Sequence, residues 1–105
     1  MNLTALQSRA EAAETLLKAM ANKNRLMILC QLQQGEQSVT ALQPMLGLSQ
    51  SALSQHLARL RDDGLVKTRR EAQSIHYRLS GDEVTKVIAT LYAIYCQDAE
   101  TDAEA

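Results

Sequence analysis

The sequence has no Trp and no Phe, and its three Tyr bring aromatics to only 3% of 105 residues. A core built from this chain must rest on Leu, Ile, Val, Met and Ala, which favours packed helices. Proline occurs once and glycine four times, too few for a collagenous or low-complexity chain. No apolar run approaches the ~20 residues of a membrane span. Met1-Asn2-Leu3-Thr4 shows neither the basic nor the apolar region of a signal peptide. The two cysteines, Cys30 and Cys96, are too few and too far apart for a disulfide framework. They suit a cytosolic protein with thiols available for chemistry. A cytoplasmic location is expected, with no membrane partner.

Length points to one domain. Net charge is −1, which by itself does not suggest a nucleic-acid partner. The charge is unevenly spread, however. Asp98, Glu100, Asp102 and Glu104 fall in the last nine residues, leaving eight acidic residues against 11 Lys and Arg in the remainder. Arg59, Arg61, Lys67, Arg69, Arg70 and Arg78 cluster against Asp62, Asp63 and Glu71. Local charge is what a phosphate backbone responds to, although a solvated face has the same composition. Residues 1–96 are expected to form the folded domain, and 97–105 an acidic, disordered tail.

Periodicity supplies the elements. Leu3, Leu6, Ala10, Ala13, Leu17 and Met20 repeat at alternating spacings of three and four, predicting one long helix over 2–21 with a seam for helix packing. Asn22 resembles a cap for a second helix that Gly35 stops. Its stretch from Leu26 to Leu32 is apolar almost all round, as a central buried helix would be. Ser38 can cap a short third helix over 39–46, followed by Gly47 as a left-handed C′ residue. Ser49 then caps a fourth helix over 50–63 that ends at Gly64. Two short helices joined by a tight Gly turn form a helix-turn-helix pattern. Beyond Gly64 the period changes to two, and Ile75, Tyr77 and Leu79 alternate. This predicts a β-hairpin over 65–79, the wing of a winged helix. Ser80 and Glu83 fit a capping box for a last helix carrying Val84, Val87, Ile88, Leu91, Ile94 and Tyr95 as an apolar stripe. The fold class expected is mainly α with a small β-hairpin.

On the fourth helix Leu53, Leu57 and Leu60 form the core stripe. Ser51, Ser54, Gln55, Ala58 and Arg59 occupy the opposite arc. Small and amide- or hydroxyl-bearing side chains are what a helix needs to read base edges in a major groove. With the preceding turn and the bases Arg69 and Arg70, they outweigh an ordinary polar face. Ser49, Gln50 and His56 complete the candidate DNA contacts, His56 as a secondary one beside the core stripe. No Ser/His/Asp set, paired-carboxylate site or phosphate-cradling Gly loop is visible, so no enzyme and no cofactor are expected.

Lys18-Ala-Met-Ala-Asn22 with Arg25-Leu-Met-Ile-Leu29 resembles the signature of ArsR/SmtB-type repressors. So does Leu48-Ser-Gln-Ser-Ala-Leu-Ser-Gln-His-Leu57 with Leu60-Arg-Asp-Asp-Gly-Leu-Val66. The resemblance covers roughly residues 13–96. It implies a homodimeric winged helix-turn-helix repressor that binds an inverted-repeat operator in double-stranded DNA and lets go when an inducer binds. One metal-site pattern of the family needs Cys-x-Cys in the third helix, where this chain has Ala41-Leu42-Gln43-Pro44-Met45. Another needs His in the last helix, where none follows Asp82 and Glu83. No metal site of these types is expected, although a two-coordinate soft ion stays open.

Cys30 and Cys96 read by themselves as small buried hydrophobes. The resemblance extends to both, and the pairing is similar to the dithiol branch of the family, the BigR-, SqrR- and HlyU-like persulfide and sulfane-sulfur sensors. That branch implies an inducing persulfide or polysulfide that links the two thiols and weakens DNA binding. Tyr92 and Tyr95 could line the sensing pocket or pack in a dimer interface. A winged-helix antirepressor or protein-interaction module, or a sensor of peroxide or a soft metal, is the alternative.

Overall fold

In the computed structural model, residues 1–96 and Asp98 are described; the rest of the expected acidic tail lies outside the described residues. Among the described residues, six helices and three strands follow in the order α1 (Leu3–Ser8), α2 (Ala10–Met20), α3 (Lys23–Leu32), β1 (Gln37–Ser38), α4 (Val39–Leu46), α5 (Gln50–Asp62), β2 (Val66–Glu71), β3 (Ser74–Leu79) and α6 (Glu83–Tyr95).

The single helix expected over 2–21 is two. Asn2 caps α1 by accepting from Ala5 N at 3.0 Å. Ser8 Oγ then donates to Ala5 O at 2.7 Å, and Arg9 N donates to Leu6 O at 3.0 Å. Local side-chain bonding and the tighter closure compete with helical continuation, and Arg9 leaves the helix at φ −118°, ψ 10°. Leu16, Ala19 and Met20 turn inward, whereas Leu3 and Leu17 stay 68% and 60% exposed.

Asn22 caps α3 as expected, accepting from Asn24 N and Arg25 N. The helix is buried on one side only: Ile28, Leu29 and Leu32 enter the core, but Met27 is 43% exposed. Its apolar perimeter serves two surfaces, the core and the cavity described below.

Ser38 caps α4 through Ala41 N, and Ser49 caps α5 through Ala52 N. Between them Gly47 adopts φ +65°, a left-handed geometry that would strain a side chain. Leu42 from α4 and Leu53, Leu57 and Leu60 from α5 are completely buried, which fixes the two helices against α3. At ~25 cal/mol per Å² such burial is the main force holding the helix-turn-helix.

The hairpin is present, with β2 and β3 antiparallel from Val66↔Leu79 to Glu71↔Ser74. A third strand, β1, adds to its other edge through Gln37↔Tyr77 and Ser38↔His76, giving the order β1-β3-β2. The capping box expected at Ser80 does not form. Ser80 N donates to Leu65 O at 2.9 Å, which holds Ser80 to the end of the sheet. α6 begins later, with Asp82 as N-cap and no side-chain cap bond. No helix among the described residues is long and apolar enough to cross a membrane.

Candidate DNA interface and thiol cavity

The core stripe of α5 determines what its other face presents. With Leu53, Leu57 and Leu60 inward, Gln50, Ser51, Ser54, Gln55 and Arg59 are exposed, and His56 is half-buried. Ser49 is exposed as well, but its hydroxyl is committed to the helix cap at 3.1 Å from Ala52 N. Arg59 Nε lies 3.5 Å from Asp63 Oδ2, one turn on.

The wing folds back toward this face. A cleft of about 370 Å³ runs between α4, α5 and the wing tip. Gln50 and Ser54 line it together with Thr40, Gln43, Gln73 and Ile75. From the sequence, none of the last four is a candidate DNA contact, and Ile75 is read only as part of the alternating strand. Their one signal is position: Thr40 and Gln43 lie on the helix preceding the Gly turn, Gln73 lies in the hairpin turn and Ile75 follows it on β3.

Arg69 and Arg70 point to opposite faces of the hairpin. Arg70 pairs across the strands with Ile75, and Arg69 with His76. Paired residues share a face, so Arg70 lies on the Ile75 side, which borders the cleft, and makes no ion pair with another described residue. Arg69 faces away from it. Its Nη2 lies 2.6 Å from Glu36 Oε1 and its Nη1 3.0 Å from Glu71 Oε2. The Glu36 carboxyl is held below the usual carboxylate range, first by that hydrogen bond from Arg69.

On the other side of α3, Cys30 and Cys96 line one cavity of about 210 Å³. The expected Tyr92 and Tyr95 also border it, as do Leu26, Met27, Ile88 and Leu91, which the sequence reading did not assign to the site. Leu26 and Met27 fall in a stretch that is apolar almost all round, and Ile88 and Leu91 in the apolar stripe of α6, so no local signal separates them from core residues. Both thiols are free and half-buried. Burial pushes the Cys30 thiol up from its ordinary value, and the nearby Cys96 adds to the rise. Two thiols from helices 66 residues apart in sequence therefore face the same apolar space. Among the described residues, no group of three His, Cys, Asp or Glu side chains could hold a metal ion.

Residues 22–68 match the model of the bacterial regulatory protein arsR family. The chain is 56% identical over 97 residues to the transcriptional activator HlyU of Vibrio cholerae, covering 92% of this chain and 90% of that one. The structure of reduced HlyU from that organism superposes with a TM-score of 0.82 at 55% identity, over 89% of this chain and 98% of that one. The transcriptional repressor BigR from Xylella fastidiosa superposes with a TM-score of 0.87 at 38% identity, over 91% and 98%. A homodimeric winged helix-turn-helix DNA-binding domain from Mycobacterium bovis gives 0.74 at 32% identity, over 85% and 82%. Caps, buried leucines and wing thus build a known reading head, and the chain belongs to the arsR family of winged-helix, DNA-binding transcriptional regulators, in the branch that holds HlyU and BigR.

Proposed function

We propose that this regulator binds an inverted-repeat operator as a homodimer and releases it when a persulfide or polysulfide joins Cys30 to Cys96. The observation that carries the reading is that both thiols open onto one shared apolar cavity. A cavity walled by Leu26, Ile88 and Leu91 offers little to a hard ion, whereas soft, polarisable sulfur suits it.

The chemistry balances without an added oxidant. A thiolate attacks the outer sulfur of a hydropersulfide, RSSH, to give Cys–SSH and release RSH after proton transfer. Once both cysteines are so converted, one Cys–SSH attacks the other. The product is a Cys–S–S–S–Cys bridge, and H₂S leaves. The bridge fastens the end of α6 to α3, and α3 packs directly on α4 and α5. Those are the helices of the reading head. Intact mass after exposure to a hydropersulfide tests the step: one sulfur gained and two hydrogens lost per chain supports it. A mass increase that Cys30→Ser leaves unchanged overturns it.

On the DNA side, Gln50, Ser51, Ser54 and Gln55 are assigned to base edges, with His56 beside them. Ser49, Arg59 and Arg70 are assigned to the backbone. The exposed apolar faces of α1, α2 and α6 supply the dimer contact. HlyU, a relative named as an activator, favours a second reading of the outcome. The same DNA binding raises transcription when it displaces another DNA-bound repressor. A reporter assay with and without the chain in a background free of other regulators separates direct repression from displacement.

A further inference from the structure

Arg69 belongs to a network that reaches outside the wing. Glu36 lies in the segment between α3 and β1, 33 residues from Arg69 in sequence. One oxygen, Glu36 Oε1, accepts from Arg69 Nε at 3.0 Å and Nη2 at 2.6 Å. On its other side the guanidinium is flanked by Glu71 Oε2 at 3.0 Å, and the same oxygen lies 3.9 Å from His76 Nε2. The register explains the reach. Ser38, His76 and Arg69 form one row across β1, β3 and β2. Side chains two apart in an extended segment share a face, so Glu36 rises on the side of Ser38 and spans β3 to meet Arg69. Ser38 is also the residue that caps α4. The contact therefore ties the distal strand of the wing to the segment that launches the helix-turn-helix.

A guanidinium flanked by two carboxylates carries little net positive charge toward phosphate. We propose that Arg69 is a positioning residue: its pairing with Glu36 fastens the wing to the reading head, and Arg70 on the opposite face carries the wing's charge to DNA. The interaction needs only the DNA-binding activity of the chain and is independent of the thiols.

The test is operator binding by reduced protein across a salt series. The variants are Glu36→Gln, Arg69→Gln and the charge exchange Glu36→Arg with Arg69→Glu. Long-range charge alone gives the two single variants opposite signs, because one gains positive charge and the other loses it. The positioning role gives them the same sign. Each should weaken operator binding by about fivefold, the upper range for an exposed pair. The salt slope should stay that of the wild type, and the exchanged pair should recover much of the loss. Both partners sit at the surface, and thermal unfolding curves check that every variant folds. The proposal is overturned if Glu36→Gln tightens binding, or if Arg69→Gln lowers the salt slope by about one, as loss of a phosphate contact does. It is equally overturned if both single variants bind as the wild type does.

Discussion

Arg25 Nε donates to the carbonyl of Ala19 at 2.6 Å, and its Nη2 donates to Lys18 O at 3.2 Å. The last carbonyls of α2 lack partners within their own helix, and a buried side chain from α3 supplies them. The Arg stem meanwhile fills space beside the core, so one residue joins the N-terminal helix to the central one.

Replacing Arg25 by Leu should keep part of the stem's apolar packing and remove the donors. Leaving a buried carbonyl unsatisfied costs about 1–3 kcal/mol. The urea midpoint of Arg25→Leu should fall accordingly, with the slope of the transition unchanged. A midpoint equal to the wild type's would show that water replaces the guanidinium at no cost.

Burial raises the Cys30 thiol, which sets a pH dependence of stability. The unfolded chain titrates near the ordinary thiol value of 9.0, and the folded chain above it. In the window between them the unfolded state has already lost a proton that the folded state retains. Stability therefore declines as pH rises through this window and is full below it. Denaturation of reduced wild type and Cys30→Ser at about pH 8 and about pH 10 should show the larger decline in the wild type. Equal declines would place the thiol in a water-like setting.

On α5, Ser54→Ala and Gln55→Ala should each reduce discrimination between operator and unrelated DNA, since a good base contact contributes ~1–3 kcal/mol. Arg70→Ala should instead weaken binding to every sequence and lower the salt slope by about one. Fluorescence anisotropy at several salt concentrations separates the two. Wild-type operator affinity in both α5 variants would remove that face from the DNA.

The exposed seam of α6 should hold two copies together. Ile94 is 63% exposed and does not border the thiol cavity, so it tests the interface cleanly. Leu91 does border the cavity and would confuse the two functions. Ile94→Glu should yield monomers in sedimentation and lose operator binding, because two half-sites require two reading helices. A dimer of wild-type stability would move the interface elsewhere.

The reading head was legible because its signals are local. Asn22, Ser38 and Ser49 each announce a helix within three residues, and Leu53, Leu57 and Leu60 identify the buried side of α5 by spacing alone. The two-residue β1 has no periodicity to read and exists because β3 offers it an edge. The break at Arg9 rests on a serine hydroxyl returning to the backbone against an unbroken apolar repeat. The contact of Arg69 with Glu36 had no signal in the sequence, since no spacing rule links residues 33 apart. The meeting of Cys30 and Cys96 was implied by family resemblance; the packing of α3 against α6 opens both onto one cavity, with Met27 and Leu91 as unforeseen walls.

The central claim is that the thiol pair controls DNA release, and operator binding before and after a hydropersulfide measures it most directly. Reduced wild type, Cys30→Ser and Cys96→Ser should bind with equal affinity, because neither thiol lies on the α5 face or in the cleft beside it. After treatment the wild type should release the operator and regain it on reduction, while both serine variants stay bound. Release of either serine variant as complete as the wild type's would contradict the claim and leave the two cysteines as cavity walls.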